Sequence, residues 1–260
     1  MSDPASTHRK KKIRAWQIAT VIAVVGLIIA VPLIVFGQFR LDLAYRLGLA
    51  PGEGVEQIAS AKDGVTLIVI PFKLPGDAAR DPYRNRAQFL ANATGTGTQL
   101  TNLSTGKKLP IQLKSLDFIT ATEDGTHVLM REGNPPGSSR SVLIDIATDA
   151  VTELPAGTTT PDLAGDWNTP VWQKTAAVCG PRSVTGVYIA CFPSPAFAHY
   201  LAGDWQLDLQ VYGDYRQKQE IFRGRGLLPS VGFNADDTVI YLQNEHGIWR
   251  ATIDRSRFRS

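Results

Sequence analysis

Histidine and cysteine are scarce in this sequence, and their spacing argues against a local metal site. The 260 residues contain four histidines and two cysteines. The histidines are scattered, at His8, His127, His199 and His246. Zinc sites are usually built from closely spaced Cys/His ligands or from two histidines one helical turn apart. We therefore predict neither a metal site nor a bound cofactor.

The short motifs of common catalytic sites are also missing. The sequence has no G-x-S-x-G elbow, and its Gly- and Thr-rich stretch at residues 95–106 lacks the lysine and helix that phosphate binding needs. A triad assembled from distant loops would leave no local trace. An enzyme therefore stays as an alternative to a binding protein.

A basic excess is confined to the first residues. Residues 1–14 carry five Lys or Arg and one Asp, whereas the remainder carries 22 basic and 23 acidic side chains. A nucleic-acid-binding domain normally shows a basic stripe that displaces counterions from phosphates. The sequence therefore predicts no nucleic-acid partner.

One long apolar run is the strongest feature that the sequence does contain. Residues 15–37 are 23 residues without a charge, long enough as a helix to cross a hydrocarbon core of about 30 Å. A cleaved signal peptide is the competing interpretation, but it would have a shorter apolar core and a small-residue cleavage site. We predict an uncleaved transmembrane helix in the cytoplasmic (plasma) membrane. The positive-inside bias places the tail, residues 1–14, in the cytoplasm, through Arg9, Lys10, Lys11, Lys12 and Arg14.

Residues 38–54 are expected to form a stalk or interfacial helix and a linker to an outer domain. The helical pattern ends at the turn sequence PGEG, residues 51–54. An apolar stripe on such a helix must be covered, which makes some of its side chains candidate contacts to a partner helix. These are Leu41, Leu43, Tyr45 and Leu47.

After Gly54 the pattern changes to short β-branched and aromatic runs between turn residues. This pattern indicates an all-β domain over residues 55–260, on the periplasmic or extracellular side. Two kinds of hairpin alternate, which predicts four units. The first kind is expected at residues 61–70, 121–130, 180–192 and 233–242, and the second at 100–111, 142–154, 209–222 and 248–258. A strand at residues 55–60 is expected to pair with the last unit and remove exposed sheet edges.

The phrases FNADDTVIY at residues 233–241 and DIATDAVTEL at residues 145–154 resemble β-propeller repeats of the TolB or WD-repeat-like type. The resemblance covers residues 55–260 and implies a small β-propeller, with four blades by the unit count. It has almost no specificity for function, because such propellers serve as binding scaffolds and also house enzymes. A two-sheet β-sandwich is the alternative fold.

The string LAGDW occurs twice, at residues 163–167 and 201–205. Buried tryptophan is commonly structural, so we expect Trp167 and Trp205 to pack between blades. They would lie either in equivalent positions or on two strands of adjacent blades. The functional alternative is an aromatic pair that holds a sugar or a quinone-like ring.

The two cysteines, Cys179 and Cys191, flank a predicted hairpin turn near residues 183–186. They would fall on facing strands, and an even cysteine count in an exported domain favours a disulfide. We therefore expect these two cysteines to be bonded to each other.

Three arginine-rich stretches occur at residues 80–86, 223–225 and 250–259. Solvated faces are the simplest interpretation. If two of the stretches converge, they would form a docking surface for acidic lipid headgroups or an acidic partner. The arginines considered as partner contacts are Arg80, Arg84, Arg86, Arg223 and Arg225.

These features together predict a single-pass membrane-anchored extracytoplasmic scaffold. Its partners would be the lipid bilayer and the other subunits of a membrane protein complex, and energy-transducing complexes are one candidate host. The alternatives are a membrane-tethered propeller enzyme, a hydrolase or lyase, and an envelope ligand sensor. A catalytic propeller would bring carboxylates, histidine or a metal together at its central channel, whereas a scaffold would show an exposed apolar or arginine-rich face.

Overall fold

The described part of the chain is almost entirely the predicted outer domain. The structure is a computed structural model, and it describes residues 20–26, 43, 52, 54–116, 118–132, 140–155, 158, 163, 165–167, 179–193, 204–225 and 229–258. Residues 20–26 are helical. None of the helices in these ranges is long and apolar enough to cross a membrane. Among the predicted topology and stalk residues, Leu43 is described and exposed. The others lie outside the described residues: Arg9, Lys10, Lys11, Lys12, Arg14, Leu41, Tyr45 and Leu47.

The outer domain is built from strands, as the sequence predicts. Alternation of apolar and polar residues decides which face is buried, as in KLPIQL of β5, where every second side chain is buried. The strands, numbered in chain order, are β1 Val55–Ser60, β2 Val65–Phe72, β3 Arg84–Thr94, β4 Gly97–Asn102, β5 Lys108–Leu113, β6 Phe118–Ala121, β7 His127–Arg131, β8 Ser141–Asp145, β9 Val151–Leu154, β10 Cys179–Arg182, β11 Tyr188–Cys191, β12 Asp204–Val211, β13 Asp214–Arg225, β14 Ser230–Phe233, β15 Val239–Asn244 and β16 Gly247–Thr252.

These strands pair into four antiparallel groups of four within the described ranges. The first three groups are consecutive along the chain: β2 to β5, β6 to β9, and β10 to β13. The fourth group is β14, β15, β16 and β1, because the first strand of the domain pairs with the last. Val55 lies opposite Ala251 in this pairing. The predicted pairing of residues 55–60 with the last unit is confirmed.

Isolated parallel bridges join three of the four groups. Arg84 of β3 pairs with Arg182 of β10, and Arg86 of β3 pairs with Phe233 of β14. The bridges merge the three groups into one twelve-stranded sheet, while β6 to β9 form a separate four-stranded sheet. The described pairing therefore gives four units but does not close them into a ring.

The apolar core lies between neighbouring groups. One cluster fills the space between the third and fourth groups around Trp205, Phe222 and Trp249. In β2, Leu67 and Ile68 belong to different clusters, one shared with the fourth group and one with the second. Successive side chains of a strand point to opposite faces, so this strand is buried on both sides. Apolar clusters therefore join the first group to the second, the first to the fourth, and the third to the fourth.

Two of the predicted hairpins are wrong. Residues Ala61–Asp63 form a 3-10 helix that leads from β1 to β2, which belong to different groups. Residues Arg255–Phe258 form a second 3-10 helix instead of a return strand. Since β1 already occupies the second edge of β16, the end of the chain has no strand position left beside β16.

Candidate functional site

A cluster of charged side chains lies where the first and third groups meet. Arg84 stands at the start of β3, Arg182 at the end of β10, and Tyr212 in the turn between β12 and β13. Asp77 and Asp81 come from the loop between β2 and β3, residues 73–83. We call these five residues the central charge cluster.

Arg84 binds Asp77 through two parallel hydrogen bonds. Its Nε donates to Oδ2 at 2.8 Å and its Nη2 to Oδ1 at 2.5 Å. Its remaining terminal nitrogen, Nη1, donates to the backbone oxygen of Val184 at 2.8 Å. The fork geometry makes this the stronger type of arginine–carboxylate contact, and the third bond links the first group to the β10–β11 turn.

Arg182 holds the second carboxylate. Its Nη1 lies 3.0 Å from Asp81 Oδ2 and 3.5 Å from Asp77 Oδ1, and its Nη2 donates to the Gly186 carbonyl at 3.2 Å. The guanidinium carbon sits 3.9 Å from the centre of the Tyr212 ring, in cation–π geometry. The Tyr212 hydroxyl in turn donates to Asp81 Oδ1 at 2.9 Å. Two cations and two anions are therefore bound to one another.

Burial makes this pairing energetically important. Arg84 and Arg182 are each only 7% exposed, and the Asp77 side chain is 6% exposed. The hydrogen bond from Arg84 is the main cause that lowers the pKa of Asp77 to about 2, and the charge of Arg182 adds to it. The pKa of Asp81 is also lowered, chiefly by the hydrogen bond from Tyr212. The carboxylates of Asp77 and Asp81 are therefore held in their ionised forms at neutral pH.

The local sequence of the loop explains why both carboxylates point inward. The backbone N–H of Leu74 donates to Asp77 Oδ2 at 3.0 Å, and that of Ala78 donates to Asp81 Oδ2 at 3.2 Å. Aspartate commonly stabilises turns by such side-chain to backbone bonds. Lys73 Nζ donates to the Ala78 and Ala79 carbonyls, which further fixes the loop.

The β10–β11 turn requires a glycine beside the two guanidinium groups. Gly186 has a φ of +81°, and a Cβ built there would lie 2.7 Å from both Arg84 Nη1 and Arg182 Nη2. The same turn is bound from the fourth group by buried Asp237. Its Oδ1 accepts the Val184 N–H at 2.9 Å, and its Oδ2 accepts the Thr185 N–H at 3.1 Å. The first, third and fourth groups are thus tied together at this turn.

The hydrogen bonds and ion pairs of the central charge cluster hold groups of strands together. Every carboxylate oxygen of Asp77 and Asp81 accepts a hydrogen bond from the chain itself. Within the ranges that the structure describes, no three His, Cys, Asp or Glu side chains are arranged to hold a metal ion. The two arginines and two aspartates of the cluster are therefore paired with one another.

The five arginines singled out in the sequence fall in different environments. Arg84 is buried as described. Arg86 is half-buried, donates from Nη2 to the Gly125 carbonyl and lies 5.6 Å from the centre of the Phe72 ring. Burial lowers the pKa of Arg86. Neither side chain is a surface arginine in this structure. The other described members, Arg80 and Arg223, are exposed.

One of the two exposed arginines, Arg223, has an acidic partner on its own strand. Arg223 Nε lies 2.6 Å from Glu220 Oε1, so part of its charge is compensated on the same strand. The side chain of Arg225 lies outside the described residues, although its backbone ends β13. Arg80 and Arg223 stay as candidate partner contacts.

The two tryptophans of the LAGDW copies are not in equivalent positions. Trp205 lies in β12 opposite Gly224, is 6% exposed, and stacks on Phe222 at 5.5 Å between ring centres. Trp167 is half-buried and forms an isolated bridge with Thr122, just beyond β6. The expected packing role is confirmed for Trp205, and of the two arrangements considered, equivalent positions are excluded.

The predicted disulfide is confirmed. Cys179 of β10 and Cys191 of β11 face each other in an antiparallel pair and are bonded. Both cysteines of the chain are used in this bond.

Sequence reasoning missed most of the central charge cluster. No sequence motif singles out Asp77, Asp81, Arg182 or Tyr212, and the stretch RDPYRNR at residues 80–86 has the pattern of a solvated face. One signal was present: Asp77 and Asp81 stand in a Pro-, Gly- and Ala-rich loop that leads directly into the arginine-rich strand. Their partner Arg182 lies 105 residues after Asp77 in the chain, so no local sequence pattern connects them.

The two N-glycosylation tripeptides, which begin at Asn92 and Asn102, differ sharply in accessibility. Asn92 is exposed near the end of β3, whereas Asn102 is fully buried and donates its amide to Asp149. When the chain is expressed through a eukaryotic secretory pathway, we expect folded, secreted protein to carry a glycan at Asn92 only. Mass spectrometry after glycosidase treatment reads this directly. Folded protein glycosylated at Asn102 would contradict the buried amide network.

Three solved structures overlap with this chain at low similarity. TolB from Acinetobacter baumannii matches 74% of this chain and 55% of its own, with 14% identity and a TM-score of 0.27. A structure assigned as TolB from Agrobacterium tumefaciens matches 73% of this chain and 60% of its own, with 12% identity and a TM-score of 0.26. The tricorn protease matches 75% of this chain and 20% of its own, with 13% identity and a TM-score of 0.22.

The chain therefore spans less than two thirds of each of these structures. No protein-family model matches it, and no curated protein matches it. Overlaps with TM-scores this low do not establish a shared fold. The fold and the site rest on the strand pairing and contacts of this chain itself.

Proposed function

We propose that the chain is a membrane-anchored extracytoplasmic scaffold that serves as an accessory subunit of a membrane protein complex. Its four groups of strands would be arranged as a small four-bladed propeller behind a single transmembrane helix at residues 15–37. The basic tail would remain in the cytoplasm, and the domain from Val55 onward would stand on the periplasmic or extracellular side. Energy-transducing complexes are one candidate host.

The observation that carries this proposal is the internal pairing of the central charge cluster. In a catalytic propeller, the polar side chains that converge between blades would face a substrate. Here Arg84, Arg182, Asp77, Asp81 and Tyr212 bind one another and hold the first and third groups together. A domain whose central charges provide cohesion is suited to present a rigid outer surface, on which Arg80 and Arg223 are exposed.

A second support is the way the chain enters the domain. β1 begins 18 residues after Gly37, the end of the apolar run. It is hydrogen-bonded along the last strand, β16, and is therefore an integral part of the domain. A domain attached in this way would be held at a limited distance from its anchor. Accessory subunits that hold membrane partners in place need that kind of attachment.

Extraction of the full-length protein from its native membrane in mild detergent tests the proposal. We expect a stable particle much heavier than the 28.3 kDa chain, with other subunits in fixed ratio, when the intact mass is measured and the co-purifying chains are identified. A lone chain across several mild detergents would contradict the accessory role. Release of the chain by a high-pH wash without detergent would contradict the anchor.

A further inference from the structure

The end of the domain at which the chain enters carries its exposed apolar side chains. In the described outer domain, two large apolar residues are exposed: Leu74 at 36% and Val187 at 48%. Leu74 lies in the loop of residues 73–83 and Val187 in the β10–β11 turn, so they come from different groups. Both side chains therefore stand on loops rather than on strand faces.

Contacts place both loops at the same end as the start of β1. Val55 lies opposite Ala251, and two residues later Ile253 donates its N–H to the Thr238 carbonyl. The preceding residue, Asp237, binds the β10–β11 turn. That turn accepts a hydrogen bond from Arg84, which binds Asp77 of the other loop. We call the surface formed by residues 73–83, 183–187 and 234–238 and the start of β1 the entry face.

The chain that precedes β1 limits how far the entry face can stand from a membrane. Residues 38–54 separate the apolar run from Val55. If residues 38–50 are helical, as their pattern predicts, they span about 20 Å at 1.5 Å per residue, and the turn of residues 51–54 then leads into β1. Because β1 starts at the entry face, this face is closer to the anchor than the opposite ends of the strands.

The chemistry of the exposed tips fits a bilayer surface. Leu74 is followed by Pro75 and Gly76, and the same loop exposes Arg80. A leucine with a nearby exposed arginine suits the interfacial zone, where the apolar side chain enters the acyl boundary and the guanidinium remains among headgroups. Single apolar tips on separate loops do not form the continuous apolar centre that protein interfaces usually have.

We propose that the entry face rests on the lipid bilayer, with Leu74 and Val187 inserted at the headgroup–acyl boundary and Arg80 among the headgroups. This proposal rests on the membrane anchor of the proposed function. It adds an orientation: the opposite end of the strands, including the β3–β4 turn at Gly95, faces away from the membrane.

Fluorescence quenching in nanodiscs tests this orientation with the full-length chain. Since both native cysteines are in the disulfide, Leu74→Cys or Val187→Cys introduces a single free thiol for an environment-sensitive nitrobenzoxadiazole label. Gly95→Cys is the matched control, because no heavy atom lies within 4 Å of a Cβ at that position. The nanodiscs contain phosphatidylcholine with a minority of phosphatidylglycerol, with or without spin-labelled lipid, and circular dichroism verifies that each variant is folded.

We expect labels at positions 74 and 187 to lose most of their emission in spin-labelled nanodiscs, while the label at position 95 keeps its emission. If the chain is in the nanodisc and positions 74 and 187 are quenched no more than position 95, the proposed orientation is wrong and the anchor stands. If the chain fails to enter nanodiscs at all, the anchor of the proposed function fails, and this proposal fails with it.

Discussion

Substitution of alanine for Gly224 is expected to lower the free energy of unfolding by about 3 kcal/mol, as an overpacked core would. A Cβ at this position would lie 2.2 Å from Cζ2 and 2.4 Å from Cη2 of the Trp205 indole. Trp205 cannot easily move, because it is buried and stacks on Phe222. Chemical denaturation gives the change from the shift in midpoint at constant slope.

Two comparisons show whether the indole contact is the cause. Gly95→Ala adds the same methyl group where no heavy atom lies within 4 Å, so its effect should stay within about 0.5 kcal/mol. In a Trp205→Phe background, the cost of Gly224→Ala should fall, since the smaller ring vacates the space. An unchanged cost in that double-mutant cycle would mean that strain elsewhere in β13 is responsible.

Asp77→Asn is expected to destabilise the domain by about 3 kcal/mol near neutral pH, because removal of one partner leaves a buried charge uncompensated. The affected charge is Arg84, which is only 7% exposed and keeps no other carboxylate within salt-bridge distance among the described residues. Thermal unfolding monitored by circular dichroism measures the loss. Asp166→Asn, at an exposed carboxylate, is the control and should have little effect.

The acid dependence of the same variant separates the ion pair from simple packing. The pKa of Asp77 is about 2 in the folded protein against 3.8 for an unperturbed aspartate. A depressed folded-state pKa gives stability that is fully present above the unfolded value and is lost as the pH falls toward the folded value, here on the order of 2 kcal/mol. The difference between wild type and Asp77→Asn should therefore narrow between about pH 5 and pH 2. A constant difference over that interval would contradict the ionised pair.

The local parts of this structure were predictable from the sequence. Asp-Gly and related turn residues between β-branched runs marked most strands, and Cys179 and Cys191 marked one hairpin by their positions on either side of its turn. The pairing of residues 55–60 with the last unit followed from the general need to cover sheet edges. These features depend on neighbouring residues or on one topological rule.

The central charge cluster was not predictable in the same way. Arginine is mostly exposed in folded proteins. The sequence around Arg84 and Arg86 therefore predicts a surface stretch, although the fold turns both side chains inward. Their environment depends on contacts to residues far away in the chain, such as Val184 for Arg84. The return strand expected at residues 248–258 failed for a related reason, because counting units along the chain assumed that each unit is made of consecutive strands.

The pairing of β1 with β16 also sets an order of events during synthesis. Among the described strands β1 is synthesised first, yet its partner β16 is synthesised last. Until then β1 has no partner strand, and the apolar cluster between the third and fourth groups is incomplete. Contacts between residues so distant in sequence form slowly and leave strand edges exposed in the meantime. A chain that stops before Gly247 would leave β1 without its partner, so the fourth group can form only after β16 has been synthesised. Completion of the fourth group is therefore a late step that joins the two ends of the described domain.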